Sequence, residues 1–159
     1  MKIFLLTHAR EINRKSNTGN IAIKSSKGLI ERIIWDRVNP NKRLLEVIES
    51  NTTALLYPSI DAKPLTISSI PNFDKIIIID ATWQEARKIY NKSPYLKITN
   101  KTSLNVKNTS EFNLRRNQPQ GGLCTIECII EILKLKENNQ LVNTFTTEFD
   151  SFNNPNKNS

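Results

Sequence analysis

The chain has 159 residues, enough for one domain with a substantial core and too few for two full ones. No apolar run approaches the ~18 residues of a membrane span, and Met1 to Thr7 runs straight into charged residues without a cleavage pattern, so the reading is a cytoplasmic protein without a signal peptide. Two cysteines at i, i+4 and a single histidine make neither a disulfide framework nor an ordinary zinc site. The net charge of +8 suits a polyanion such as RNA, and suits equally a solvated surface rich in lysine and asparagine.

Residues 2–7 predict a buried strand that ends in the polar cluster His8-Ala9-Arg10-Glu11. Ser16-Asn17-Thr18-Gly19 marks a turn or helix start, and Gly28 precedes a second strand, Leu29 to Trp35. Asn39-Pro40 predicts an N-cap with proline at the first helical position, followed by a helix that buries Leu44, Val47 and Ile48. Thr53 to Tyr57 forms a third strand, stopped by Pro58, and residues 59–74 form a connecting loop.

The centre of the reading is Lys75 to Tyr90. Four consecutive isoleucines, Ile76 to Ile79, are the pattern of a strand covered on both faces. Thr82 followed by Glu85 has the form of a capping box, so a helix starts at Trp83 and buries Trp83, Ala86, Ile89 and Tyr90. Strands are also expected at Leu96 to Thr99 and Glu111 to Leu114. Gly121-Gly122 makes a tight turn that is neither a P-loop nor a dinucleotide fingerprint. Thr125 is the expected N-cap of a helix striped by Ile126, Ile129, Ile130 and Leu133; a last helix spans Leu141 to Phe152, and 153–159 form a polar, disordered tail. Strands alternating with helices predict an α/β fold: one domain over 1–152, with a mostly parallel sheet flanked by helices on both faces. In such sheets ligands bind at the carboxyl edge, where helix amino termini present unpaired N–H groups.

Taken singly, these features carry two readings each. Asp80 either caps a turn or acts as a base, Trp83 is a core residue or a ligand platform, and Arg115 and Arg116 are solvated or bind anions. Glu127 in the first turn of its helix complements the dipole.

Asp80-Ala81-Thr82-Trp83, after a hydrophobic strand and before Gln84-Glu85-Ala86-Arg87, resembles the signature of the DTW-domain family. Thr7-His8-Ala9-Arg10-Glu11 with Ser16-Asn17-Thr18-Gly19, Leu55-Leu56-Tyr57-Pro58 and Leu123-Cys124-Thr125-Ile126-Glu127-Cys128 are similar to its other motifs, in order, over about residues 3–150. The resemblance implies a SPOUT-like core with a C-terminal trefoil knot. It also implies a tRNA-uridine aminocarboxypropyltransferase that moves the 3-amino-3-carboxypropyl group of S-adenosylmethionine to N3 of a uridine, with tRNA as partner; many members open with a cysteine-rich, zinc-binding segment, and because no cysteine precedes the first strand here, no metal is expected. The alternatives are an RNA methyltransferase on the same type of cofactor site and a non-catalytic RNA-binding module. On this resemblance Asp80, Thr82 and Trp83 are the catalytic candidates, with Asp80 as base. Leu56, Tyr57, Pro58, Asp80, Ala81, Thr82, Leu123, Cys124, Thr125 and Glu127 are the cofactor candidates. His8, Arg10, Arg115 and Arg116 would grip RNA, with Glu11 holding an arginine in place. A base at Asp80 predicts that Asp80→Ala keeps cofactor binding and loses transfer. The tRNA, the uridine chosen and the oligomeric state stay open.

Overall fold

The four isoleucines serve two cores at once. Ile76 and Ile78 face one way with Ile3 and Leu5, while Ile77 and Ile79 face the other with Phe4 and Leu6, and all eight side chains are buried. Successive side chains of a strand point to opposite faces, so an unbroken apolar run is stable only where both faces are covered. Each such isoleucine contributes about 2 kcal/mol through burial.

The structure, a computed structural model, describes residues 1–105 and 122–155. Its strands are β1 (Lys2–His8), β2 (Ile30–Trp35), β3 (Thr53–Leu56), β4 (Lys63–Leu65), β5 (Lys75–Ile79) and β6 (Asn100–Leu104). They form one sheet in the order β2-β1-β5-β3-β6-β4, and every neighbouring pair is parallel. All six carboxyl ends therefore reach one edge. On one face lie α1 (Gly19–Ser25), α5 (Thr125–Leu135) and α6 (Asn139–Asn153); on the other lie α2 (Lys42–Glu49), α3 (Trp83–Asn91) and α4 (Pro94–Lys97). The expected α/β class, with helices on both faces of a parallel sheet, is what the chain adopts.

Several local expectations are corrected. Leu96 to Thr99 is not a strand: Pro94 starts the short helix α4, Leu96 is buried in it, Thr99 Oγ1 donates to Tyr95 O at 2.9 Å, and the strand begins at Asn100. Residues 59–74 are not a plain loop, because Lys63–Leu65 adds β4 to the sheet edge, where Pro64 lacks only an N–H that an edge strand can do without. The cap of α2 is Asn41, whose Oδ1 accepts from Arg43 N (2.8 Å) and Leu44 N (3.3 Å); Asp36 Oδ1 instead draws Val38 N and Asn39 N into a separate turn. The cap of α5 is Cys124 and not Thr125. The expected strand at Glu111 to Leu114, the turn at Gly121 and the positions of Arg115 and Arg116 lie outside the described residues. So does the chain path through 106–121 on which a knot depends. Among the described residues no helix is long and apolar enough to cross a membrane, and no cluster of three or more His, Cys, Asp or Glu side chains is placed to hold a metal ion.

Candidate active site

Asp80 lies immediately beyond β5 and extends its pairing with β1, its N–H donating to Leu6 O at 2.9 Å. Its side chain points to the α1/α5 face, and the residue is wholly buried. A buried carboxylate is tolerable only when its charge is paired and its lone pairs are filled. Here Oδ2 accepts from Thr7 Oγ1 (3.2 Å), Asn17 Nδ2 (3.0 Å) and an Arg32 guanidinium N–H (3.0 Å), and Oδ1 accepts from Thr125 Oγ1 at 2.7 Å. Arg32 is itself fixed, with Nε donating to Thr7 Oγ1 at 3.2 Å and other N–H groups donating to Asn17 Oδ1 and Asn20 Oδ1. One carboxylate thus joins β1, β2, β5, the turn before α1 and the start of α5. Two helix amino termini converge on it, and their dipoles favour its negative charge.

Gly19, first in α1, is required by that closeness. A Cβ there would stand 2.7 Å from Asp80 Oδ2 and 3.0 Å from Leu5 Cδ1.

The loop before α5 is pinned from three sides. Thr125 reaches Asp80, Ile126 N donates to Thr18 Oγ1 at 3.2 Å, and Cys124 N donates to Glu127 Oε1 at 3.0 Å within a capping box. Cys124 is fully buried, and burial, reinforced by the neighbouring Glu127 carboxylate, pushes its thiol far above the usual range. Its side chain is packing and cap, not a nucleophile. Leu123 and Gly122 beside it are half-buried.

On the opposite face the same edge carries an aromatic stack. Tyr57 is held by its N–H donating to Thr102 O at 3.0 Å, and its ring lies against Tyr90 (centroids 4.0 Å apart) and Trp83 (5.9 Å), both stacked. Burial raises the Tyr57 hydroxyl, with Tyr90 adding to it and Arg87 opposing. Thr82 caps α3, accepting from Glu85 N at 3.3 Å. The other half of the expected box is not made, because the Glu85 carboxylate pairs with Arg10 and is held below its ordinary range by that bond. His8 Nδ1 accepts from Arg10 N at 3.2 Å, and its ring stands 5.8 Å from that of Trp35. With the lone pair of Nδ1 engaged, the neutral ring carries its proton on Nε2 and presents a donor.

Asp80, Thr125 and Cys124 thus gather on one face of the carboxyl edge, and Tyr57, Thr82 and Trp83 on the other, joined through the chain at Asp80 to Trp83; Leu56 is half-buried and Pro58 exposed beside Tyr57. Glu11 does hold an arginine, and it is Arg14, at 2.9 Å. Sequence reasoning missed Arg32 and Asn17 as partners of Asp80. A signal existed for Arg32, a cation within the apolar run Leu29 to Trp35.

These acids already have partners: Asp80 has four donors, Glu85 has Arg10 and Glu127 has the Cys124 N–H, while Glu11 forms an ion pair with Arg14 although its Oε1 accepts no hydrogen bond among the described residues. The arrangement is built to hold loops in place.

Comparison with known proteins adds an independent line. No solved structure matches the chain. It is 28% identical over 144 residues to tRNA-uridine aminocarboxypropyltransferase 2 of Drosophila melanogaster, covering 86% of this chain and 56% of that protein. It is 28% identical over 102 residues to the Mus musculus protein of the same name, covering 62% of this chain and 34% of the relative; the Macaca fascicularis protein, at 29%, matches over the same length. The chain thus spans about half, or a third, of the curated relatives it matches. The family described as DTW domain matches residues 1–155. With Asp80, Thr82 and Trp83 standing together at the carboxyl edge and the match running through nearly the whole chain, the protein belongs to the DTW-domain family.

Proposed function

We propose that the protein is a tRNA-uridine aminocarboxypropyltransferase that uses S-adenosylmethionine as donor and N3 of a tRNA uridine as acceptor. One observation carries the reading: the loops at 56–58, 80–83 and 122–125 meet at a single sheet edge, tied by the Thr125–Asp80 bond on one face and the Tyr57–Trp83 stack on the other. The relatives' names supply the reaction class. The kinship to SPOUT enzymes, the single domain over 1–152 and the cytoplasmic location belong to the same reading.

The residues suit the donor. Adenosine is commonly held by backbone groups and apolar faces, and this edge offers backbone at Tyr57-Pro58, Ala81-Thr82 and Leu123-Cys124, with half-buried Leu56, Leu123 and Trp83 as cover. When bound, the donor would supply a carbon made electrophilic by its positive sulfur, so that bond formation to N3 would break the carbon–sulfur bond, release neutral 5′-methylthioadenosine and pass the N3 proton to water.

The chain's part is alignment. Asp80, filled by four donors and closed to solvent, is a positioning residue: it fixes the start of α5 and so the Leu123-Cys124-Thr125 backbone. Thr82 fixes α3, and Trp83, braced by Tyr57, walls the pocket or stacks on the uridine. His8 Nε2–H and Arg10 donate to the RNA, joined by Arg115 and Arg116. Which carbon of the donor faces N3 decides between aminocarboxypropyl and methyl transfer, because a near-attack geometry dominates the rate.

The test is incubation with unmodified tRNA and donor labelled in the methionine chain, followed by mass analysis of the nucleosides. A uridine carrying the labelled four-carbon group supports the reading. A methylated uridine makes the protein a methyltransferase, and an unchanged tRNA pool with no donor binding makes it an RNA-binding module.

A further inference from the structure

The helices on the two faces of the sheet differ in charge. Over 125–153, the stretch that builds α5 and α6, two lysines stand among five acids. Over 83–97, the stretch that builds α3 and α4, four cations stand beside a single acid, Glu85, and that acid is spent on Arg10.

Helical phasing gathers these cations on the outside. Gln84, Arg87, Lys88, Asn91 and Lys92 fall at i, i+3, i+4, i+7 and i+8 and all are exposed, while Ala86 and Ile89 hold α3 to the sheet. Arg87, Lys88, Lys92 and Lys97 form no ion pair among the described residues, whereas Arg10, Arg14, Arg32 and Arg43 each have a carboxylate. One or two cations in the last turn would complement the helix dipole. Four with no free acid beside them leave a surface that attracts a polyanion.

The stripe begins at the candidate site. Trp83, Arg87 and Tyr90 recur at i, i+4 and i+7 along the flank of α3 that meets Tyr57. Arg87 lies near enough to oppose the rise of the Tyr57 hydroxyl, and the Lys97 ammonium stands 6.0 Å from the centre of the Tyr90 ring. Cations beside a row of rings are the pairing by which proteins hold unpaired nucleic-acid strands. The nine residues of α3 advance about 13 Å, long enough for several phosphates of one strand.

We propose that the outer face of α3 and α4 is the track for the tRNA strand next to the reacting uridine, its phosphates neutralised by Arg87, Lys88, Lys92 and Lys97. The proposal rests on tRNA being the substrate. It also sets the side of approach, because RNA crossing α5 and α6 would meet an excess of acids. Such contacts position the strand without reading its bases.

The test measures binding of unmodified tRNA, without donor, across a potassium chloride series. Wild type is compared with Arg87→Gln/Lys88→Gln/Lys92→Gln and with Lys24→Gln/Lys134→Gln/Lys136→Gln, which removes the same charge from exposed positions on the α1/α5 side. Glutamine matches lysine and arginine closely in helix propensity, so both variants are expected to keep the wild-type unfolding midpoint within a few degrees. Each phosphate neutralised contributes roughly 0.7 to 0.9 to the log–log salt slope. The α3 variant is expected to flatten the slope by about two and to weaken low-salt binding by about tenfold or more, and the control to leave the slope within about half a unit. A slope unchanged in the α3 variant overturns the proposal. So does an equal loss in both variants, which would make net charge alone the attraction, and so does polyglutamate bound as tightly as tRNA at the same salt, which would make the stripe a surface for acidic protein. Wild type that binds tRNA through the stripe but transfers nothing sinks the enzymatic reading and leaves the track standing; full transfer with an unchanged slope sinks the track alone.

Discussion

Arg32 and Asp80, 48 residues apart in sequence, form a 3.0 Å ion pair in which the aspartate is wholly buried and the arginine side chain is 16% exposed. Removing one partner of such a pair strands the other in a low-dielectric site. Asp80→Ala is expected to destabilise the fold by about 3–5 kcal/mol, and Arg32→Met by a similar amount. The double variant should cost less than the sum of the two, because the groups share one interaction. Urea unfolding of the four proteins gives the cycle; additive losses would mean that the pair is not coupled.

Gly19 tests the same packing from the backbone side. With Asp80 Oδ2 only 2.7 Å from a would-be Cβ, Gly19→Ala must push the carboxylate or α1 away, at a cost of about 1–3 kcal/mol. Gly28→Ala meets no atom within 4 Å and is strained only by φ +88°. Both should lower the unfolding midpoint, and only Gly19→Ala should also weaken donor binding.

Cys124 should be chemically silent. Its raised thiol is protonated at neutral and mildly alkaline pH, and the thiolate is the reactive form. Native protein treated with iodoacetamide near pH 8 should show no modification at Cys124 by mass spectrometry, and rapid modification once unfolded. Fast labelling in the native state would contradict the buried cap.

The Arg10–Glu85 pair sets a pH dependence. Arg10 holds Glu85 below the ordinary carboxylate range, with Lys88 and His8 adding smaller pulls and burial opposing. A depressed folded value stabilises the fold above the unfolded carboxylate's pKa, near ~4.3, and that contribution is lost as pH falls through the folded value. Glu85→Gln should therefore be slightly less stable than wild type at neutral pH, with the gap closing at acid pH. A gap constant across thermal scans at different pH would assign the difference to helix α3 and not to the charge.

What was readable in the sequence was what depends on neighbours in the chain. The run Ile76 to Ile79 announced a doubly covered strand, and Thr82 announced the start of α3, because periodicity and capping are local. Capping by Asn41 and not Asn39 was a contest between two nearby asparagines, decided by the turn that Asp36 makes with Val38 and Asn39. Thr125 was misread as a cap because its hydroxyl is spent on Asp80, and the β4 edge strand was hidden by its brevity and by Pro64. The partners of Asp80 were the least legible. Asn17 and Arg32 meet it only after β1, β2 and β5 pair in parallel, which no short-range pattern encodes.

The central claim is that Asp80 holds the site together and does not take the uridine proton. Its most direct test is calorimetric titration of folded Asp80→Asn with S-adenosylmethionine, at a temperature well below its unfolding midpoint. The account predicts a weakened donor affinity, with transfer at saturating donor reduced far less than at low donor. Donor bound as tightly as by wild type, with transfer abolished at every donor concentration, would contradict it and return Asp80 to the role of base.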